Sequence, residues 1–177
     1  MGEVRAGYSP PAVHDMLVRL YDIPEASARI AALHQVGIDL RRAIAPERHV
    51  VVSWVRQEFG EGWASECEVS FARLPISCFR AQRGNAILGF ACYDATAKAF
   101  FGPTGVLESE RKQGIGTALL LMALQAMAAE GYAYAIIGGA GPEDFYAKAV
   151  GAVSIAGSAP GIYAGLLRAG RTPGQEP

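Results

Sequence analysis

The chain has 177 residues and a mass of 18.7 kDa, the length of one compact domain, since domains run ~100–200 residues. Hydrophobic residues make up 51% and charged residues 19%, the reverse of the balance that leaves a chain disordered. A net charge of −1 and a pI near 6.3 exclude the basic footprint of a general nucleic-acid binder.

The N-terminal segment carries Glu3, Arg5 and Asp15 and lacks an apolar core before a cleavage site, so it does not read as a signal peptide. Val4-Arg5-Ala6 reads as an edge strand. Ser9-Pro10-Pro11 opens a helix with Val13, Leu17 and Leu20 on one face. Pro24 opens a second, with Ala28, Ala31, Ala32 and Val36 inward and Gly37 at its end. Pro46 opens a third, with Val50, Val51, Trp54, Val55 and Phe59 at helical spacing and Gly60 as its stop. Residues 1–70 are therefore expected to be mainly helical.

Ile76 to Ala81 and Ile87 to Tyr93 read as a hairpin across the turn Gln82-Arg83-Gly84-Asn85. Ala99-Phe100-Phe101 is a strand that resumes through Thr104-Gly105-Val106. Gly102-Pro103 interrupts it as a bulge, because proline cannot donate to a ladder. Ile115 to Ala129 reads as a helix surrounded by apolar residues. It is shorter than the ~20 residues a membrane span requires, so it is expected in the core. Tyr134 to Ile137 is a short buried strand, parallel to its predecessor across that helix. Gly138-Gly139-Ala140-Gly141 loosens the chain, and Pro142-Glu143-Asp144 starts a helix that Gly151 ends. Val153 to Ile155 and Ile162 to Leu166 read as closing strands, and the tail from Arg168 as a flexible terminus. The expectation is an α/β fold with a mixed sheet, one domain over 1–167 with its core at 71–167.

Cys67, Cys78 and Cys92 read as small buried hydrophobes of a reducing, cytoplasmic protein. His14, His34 and His49 stand apart with no partner at ligand spacing, so neither a metal site nor a hydrolase triad is expected.

The segment Glu110-Arg111-Lys112-Gln113-Gly114-Ile115-Gly116-Thr117 lies between a strand and the long helix. Free N–H groups at a helix start and the positive end of its dipole attract an anion. Gly114 and Gly116 let a phosphate approach the backbone, Arg111 and Lys112 add charge, and Thr117 offers a hydroxyl. An ordinary glycine-bearing helix start with two solvated cations would have the same composition. A P-loop needs a Lys after its second Gly, and a dinucleotide fingerprint needs a third Gly where Leu119 stands, so both are demoted.

Here the chain resembles the GNAT superfamily of acetyl-CoA-dependent N-acetyltransferases, over roughly residues 76–167. Arg111-Lys112-Gln113-Gly114-Ile115-Gly116 is similar to that family's pyrophosphate loop. The interrupted strand through Thr104-Gly105-Val106 resembles its bulged fourth strand, and Phe145 to Ala152 its late Tyr-bearing helix, with a spacer one residue longer. The resemblance implies a GNAT-like fold, a mixed central sheet with a splayed parallel pair flanked by helices. It implies acetyl-CoA as cosubstrate, with pantetheine pairing as a pseudo-strand in the splay. The coenzyme contacts it implies are Thr104, Gly105, Val106, Arg111 through Thr117, Gly139 and Tyr146. It places the leaving-group acid at Tyr146, with the Val106 N–H as the oxyanion donor candidate. A half-buried helix tyrosine would look alike. The family commonly carries an Asn about seven residues before that Tyr, where this chain has Gly139.

The base is a choice among acids. Glu58, Glu61, Glu66 and Glu68 cluster around Gly60, Trp63 and Cys67, and Glu66 and Glu68 are the candidates for attracting an amine and taking its proton. An exposed helix end with scattered charge is the competing reading. The acceptor is a small-molecule or peptide amine of unread identity. No nucleic-acid or membrane partner is expected, and a homodimer rests on the resemblance alone. An acyl-CoA-binding sensor without turnover, and a nucleotide-binding enzyme, stand as the alternatives.

Overall fold

A computed structural model describes residues 13–167. The expected strand at Val4–Ala6, the helix start at Ser9–Pro11 and the tail from Arg168 lie outside the described residues. The chain order is β1 (Met16–Arg19), α1 (Ser27–Gln35), β2 (Ile38–Arg42), α2 (Arg48–Phe59), α3 (Glu61–Ser70), β3 (Cys78–Arg83), β4 (Ala86–Tyr93), β5 (Phe100–Val106), α4 (Ile115–Ala129), β6 (Tyr134–Ile137), α5 (Glu143–Val150) and β7 (Val153–Ser154). The seven strands form one sheet in the order β2-β3-β4-β5-β6-β1-β7. All neighbours are antiparallel except β5 and β6.

Alternation along the strands divides the core in two. In β4, Ala91 and Tyr93 point to one layer and Phe90 and Cys92 to the other, and the register slip at Leu88 turns that side chain into the first layer. The first layer is closed by α4, whose Ala118, Leu119, Leu120, Leu121, Ala123, Leu124 and Met127 are all buried, and by α1. The second is closed by α2 and α3 through Val51, Val52, Val55, Ala64 and Cys67. The three cysteines, distant in sequence, meet in this second layer as free thiols, their sulfurs within 4.8 Å of one another. Among the described residues no helix is long and apolar enough to cross a membrane.

The expectations for β3, β4, α2, α4, β6 and α5 agree with the structure. Four others need correction. Met16–Arg19 is a strand between β6 and β7 rather than part of a helix. Met16 and Val18 are buried with period 2, and the pairing runs Leu17 to Ile136 and Leu17 to Val153. A run of adjacent apolar residues fits either period locally, and the sheet chose strand. The buried side of α1 is Ala26, Ile30 and Leu33, at i, i+4 and i+7, while Ala28, Ala31, Ala32 and Val36 face solvent. Residues 38–42 form a strand inside the stretch expected to be mainly helical, so the N-terminal part supplies two strands to the sheet, while 61–70 adds a helix that no motif singled out. Ile162–Leu166 is a single 3-10 turn with irregular chain, not a strand.

β5 carries the expected bulge at Gly102-Pro103: Ala91 faces Thr104 and Tyr93 faces Phe101, so two steps along β4 meet three along β5, and the strand continues through it. Against β6 it pairs only at Phe100–Ile136 and Phe101–Ile137. Beyond Phe101 the two parallel strands part, and a cavity opens between them.

Candidate active site

A cavity of about 980 Å³ runs from the start of α4, through the gap between β5 and β6, to the ends of α2 and α3. Its size matches small-molecule sites, which hold ~300–1,000 Å³. Two sets of backbone groups open onto it. The first is the outer edge of β5 from Gly102 to Val106, which has no β6 partner there. Such an edge presents unpaired N–H and C=O groups. The second is the N-terminus of α4. Gly114 caps it in the left-handed region, φ +89°, and Lys112 beside it also has positive φ, +66°. This turn aims the first free N–H groups of the helix, at Ile115, Gly116 and Thr117, at the cavity. A Cβ on Gly116 would meet only Val106, at 3.6 Å, so its approach face is open.

Of the expected contact residues, Thr104, Gly105, Val106, Arg111, Lys112, Gly114, Ile115, Gly116, Thr117, Gly139 and Tyr146 all line the cavity. Gln113 does not. Its amide donates to Glu110 at 2.8 Å, and Glu110 in turn pairs with Arg83 at 3.0 Å, so this side chain braces the loop from outside. The Arg83 guanidinium, then the Gln113 amide, hold the Glu110 carboxyl below its usual range. Arg29 of α1 belongs to the loop without having been expected there. A Cβ on Gly114 would stand 3.3 Å from its guanidinium.

Tyr146 sits on the buried face of α5, 6% exposed, edge-on to Phe101 at the point where the strands part. Burial pushes its phenol up to about 12. Val106 stands at the far end of β5, paired with Gly89 and next to the loop. Its carbonyl accepts from the Arg111 side chain at 3.4 Å.

The two acidic candidates separate. Glu66 lines the cavity, and its carboxylate accepts from the Thr96 hydroxyl at 2.5 Å. Glu68 points to the other side of α3, where it pairs with Arg48 beside a shallow depression. Glu61 pairs with Arg56 and is also outside. Helical geometry explains the split, because positions 66 and 68 lie about 200° apart around an axis of 3.6 residues per turn.

Three aromatic side chains pack over the glycines of the gap. At Gly105 an added Cβ would stand 2.6 Å from the Phe59 ring. At Gly138 it would stand 2.6 Å from the Tyr163 hydroxyl and 2.8 Å from the Phe100 ring. These glycines thus admit aromatic side chains of the protein itself. Tyr163 follows the last strand and carries no local signal for this position. Burial, then the charges of Glu66 and Asp15, raise its phenol above the ordinary value. Asp15 is a further unexpected participant. Its carboxylate accepts from the Gly139 N–H at 2.8 Å and pins the loop after β6.

A model of the Acetyltransferase (GNAT) family matches residues 48–151, more than half of the chain. No curated protein matches. Solved structures share the fold. One is described as a GCN5-related glucosamine N-acetyltransferase region of a fungal multi-domain GH3 β-N-acetylglucosaminidase, at TM-score 0.66 and 16% identity, over 83% of this chain and 20% of that one. A GCN5-related N-acetyltransferase from Sphaerobacter thermophilus aligns at TM-score 0.56 and 19% identity, over 81% of this chain and 49% of that one. Another from Kribbella flavida aligns at 0.51 and 17%, over 81% and 55%. The chain spans 20% to 55% of the length of these structures.

Proposed function

Because the chain belongs to the Acetyltransferase (GNAT) family, we propose that it moves an acetyl group from acetyl-CoA to a primary amine by direct attack in a ternary complex. The observation that carries this reading is the continuity of one cavity from an anion-binding helix start, along an unpaired strand edge, to a buried phenol and a carboxylate. Each stretch suits one part of the coenzyme. The α4 N–H groups with Arg111, Lys112 and Arg29 suit a pyrophosphate. The edge of β5 suits the amides of pantetheine, taken up as a pseudo-strand. The thioester then lies where β5 and β6 part, beside Tyr146.

In the reaction the neutral amine nitrogen attacks the thioester carbon, the C–S bond breaks, and the amine loses a proton. Glu66, directly or through water, takes that proton. Backbone N–H groups of β5 near Gly102, where the strands part, suit the developing oxyanion. Val106, expected for that role, stands five residues beyond Phe101 along the strand, roughly 16 Å away at ~3.3 Å per residue, on the phosphate side. Tyr146 donates its phenolic O–H to the departing sulfur. The three free thiols agree with a reducing, cytoplasmic setting.

A second reading is a module that holds acyl-CoA without turnover. It draws on Gly139, which offers no side chain, and whose N–H is already bonded to Asp15. Release of free thiol from acetyl-CoA across a panel of amines separates the two. Amine-dependent release supports transfer. Saturable acetyl-CoA binding with no release over any acceptor would leave the binding module. Competition by CoA, but not by NAD or ATP, is expected in either case.

A further inference from the structure

The end of the cavity away from the phosphate loop is built from three separated segments. Trp63 and Glu66 lie three residues apart on one face of α3. Thr96 comes from the loop between β4 and β5, and Tyr163 from the chain after β7. Phe59, at the end of α2, stacks on Trp63 with centroids 5.3 Å apart and an interplanar angle of 28°. Trp54 and Phe90 close on that pair edge-on or tilted from behind. The stack is therefore a stiff, flat wall. Trp63 nevertheless remains 39% exposed, an aromatic face open to the cavity.

One carboxylate is open to the cavity at this end, since Asp15, whose charge also reaches Tyr163, is buried behind the wall and accepts from the Gly139 N–H. Two acids line the cavity, and Glu110 is paired with Arg83. Glu66 has the Thr96 hydroxyl and no Lys or Arg partner among the described residues. The cations that line the cavity, Arg111 and Lys112, are at the opposite end, in the phosphate loop.

We infer that the acceptor is a monocationic amine carried on a flat apolar body, an arylalkylamine, with its ammonium at Glu66 and its ring against the Phe59–Trp63 stack. The inference rests on the reading of this cavity as an acetyltransferase site. A single unmatched carboxylate neutralises one ammonium, and adjacent aromatic faces add cation–π attraction. A polyamine would bring further charges to a wall with no acid for them. An amino acid would bring a carboxylate to the end that holds Glu66 and no cation. An amino sugar would press several hydroxyls against rings that return no hydrogen bonds, leaving them desolvated. The amine nitrogen at Glu66 also stands beside the hydroxyls of Thr96 and Tyr163, so its proton has an acceptor within the same cluster.

The test measures thiol release by the full chain with acetyl-CoA and five acceptors: 2-phenylethylamine, n-butylamine, spermidine, glucosamine and phenylalanine. The expected order puts 2-phenylethylamine first in kcat/KM, by ~10-fold or more over spermidine, glucosamine and phenylalanine. Trp63→Leu should erase most of the preference for 2-phenylethylamine over n-butylamine. Glu66→Gln should lower kcat/KM for both by ~10-fold or more. In each variant the Kd for acetyl-CoA should stay that of the parent, which also verifies folding. Equal or faster turnover of spermidine, glucosamine or phenylalanine overturns the inference and leaves acetyl transfer standing. Release with none of the five, although acetyl-CoA binds, overturns the inference, and release over a wider panel that includes peptide amines then decides acetyl transfer.

Discussion

Burial of the Tyr146 phenol fixes what it can do. At about 12 it is a far weaker acid than an ordinary thiol at ~8.5. Full proton transfer to a departing thiolate is uphill, so in the proposed transfer it would contribute a hydrogen bond aimed at the sulfur as charge develops there. Tyr146→Phe removes one oxygen and little volume. It should lower kcat by ~100-fold while leaving acetyl-CoA affinity within about threefold, read by thiol release and calorimetry. The same burial predicts a pH effect. The folded value lies above the ordinary 10.0, so the folded state binds more protons between the two. Stability is complete below pH ~10 and falls as pH rises toward ~12, by roughly 3 kcal/mol in all. Tyr93 and Tyr163 are also raised. The readout is therefore the difference between parent and Tyr146→Phe in chemical denaturation across that range, and equal slopes would contradict it. Tyr146 was legible in the sequence because it lies in a contiguous motif. Tyr163 and Asp15 were not, because their places depend on chain segments that meet only in the folded protein.

Among the elements, α4 owes its role to both of its neighbours. Its interior is a continuous apolar run legible as a buried helix, and its start is legible from Gly114 and Gly116. The third cation at that start, Arg29, comes from α1, whose inward side was misread from its alanines. Alanines fit either side of a helix, while Leu33 and Ile30 carry the burial. Arg29→Ala should raise the Kd for acetyl-CoA about threefold to tenfold at low salt. The gap between variant and parent should narrow at high ionic strength, since exposed charges are screened over about a Debye length of ~10 Å at 0.1 M. Titration calorimetry at two salt concentrations checks it, and an unchanged Kd at low salt would remove Arg29 from the site. β2 shows a signal that was present in the sequence. Ile38 and Leu40 are buried around Asp39 with period 2, an alternation obscured by reading Gly37 only as a helix stop. α3 has a weaker trace, because its polar residues outnumber its buried Ala64, Cys67 and Ser70.

For the whole molecule, the edge of the sheet opposite the cavity is held by a buried cation. Arg80 is 3% exposed and donates to Glu47 at 3.1 Å, while Glu47 also accepts from Arg41 and from the Ile44 N–H. Burial by itself would raise the Glu47 carboxyl. The Ile44 amide and the two guanidinium groups outweigh it and hold the group below its ordinary 4.5. Its contribution to stability is thus present above pH ~4.5 and is lost as pH falls through the folded value. Glu47→Ala leaves Arg80 without its main partner and should cost ~3–5 kcal/mol at neutral pH. In urea denaturation the difference from the parent should shrink toward acid pH, and a constant difference would contradict the assignment. This network joins β2, β3 and the turn before α2, three segments whose pairing no local pattern announces.

The sequence by itself determined what is local. It set the hairpin of β3 and β4, the glycine-bearing loop into α4, and the strand and Tyr-bearing helix that follow, because turn residues, caps and periodicity act within one contiguous stretch. The tertiary structure alone decided which residues face one another. It made Met16–Arg19 an interior strand, turned Glu66 into the cavity and Glu68 away, and brought Arg29, Asp15 and Tyr163 to the site. Strand pairing and cavity walls are made between segments far apart in the chain, where the energy lies in burial and complementarity that no single segment contains.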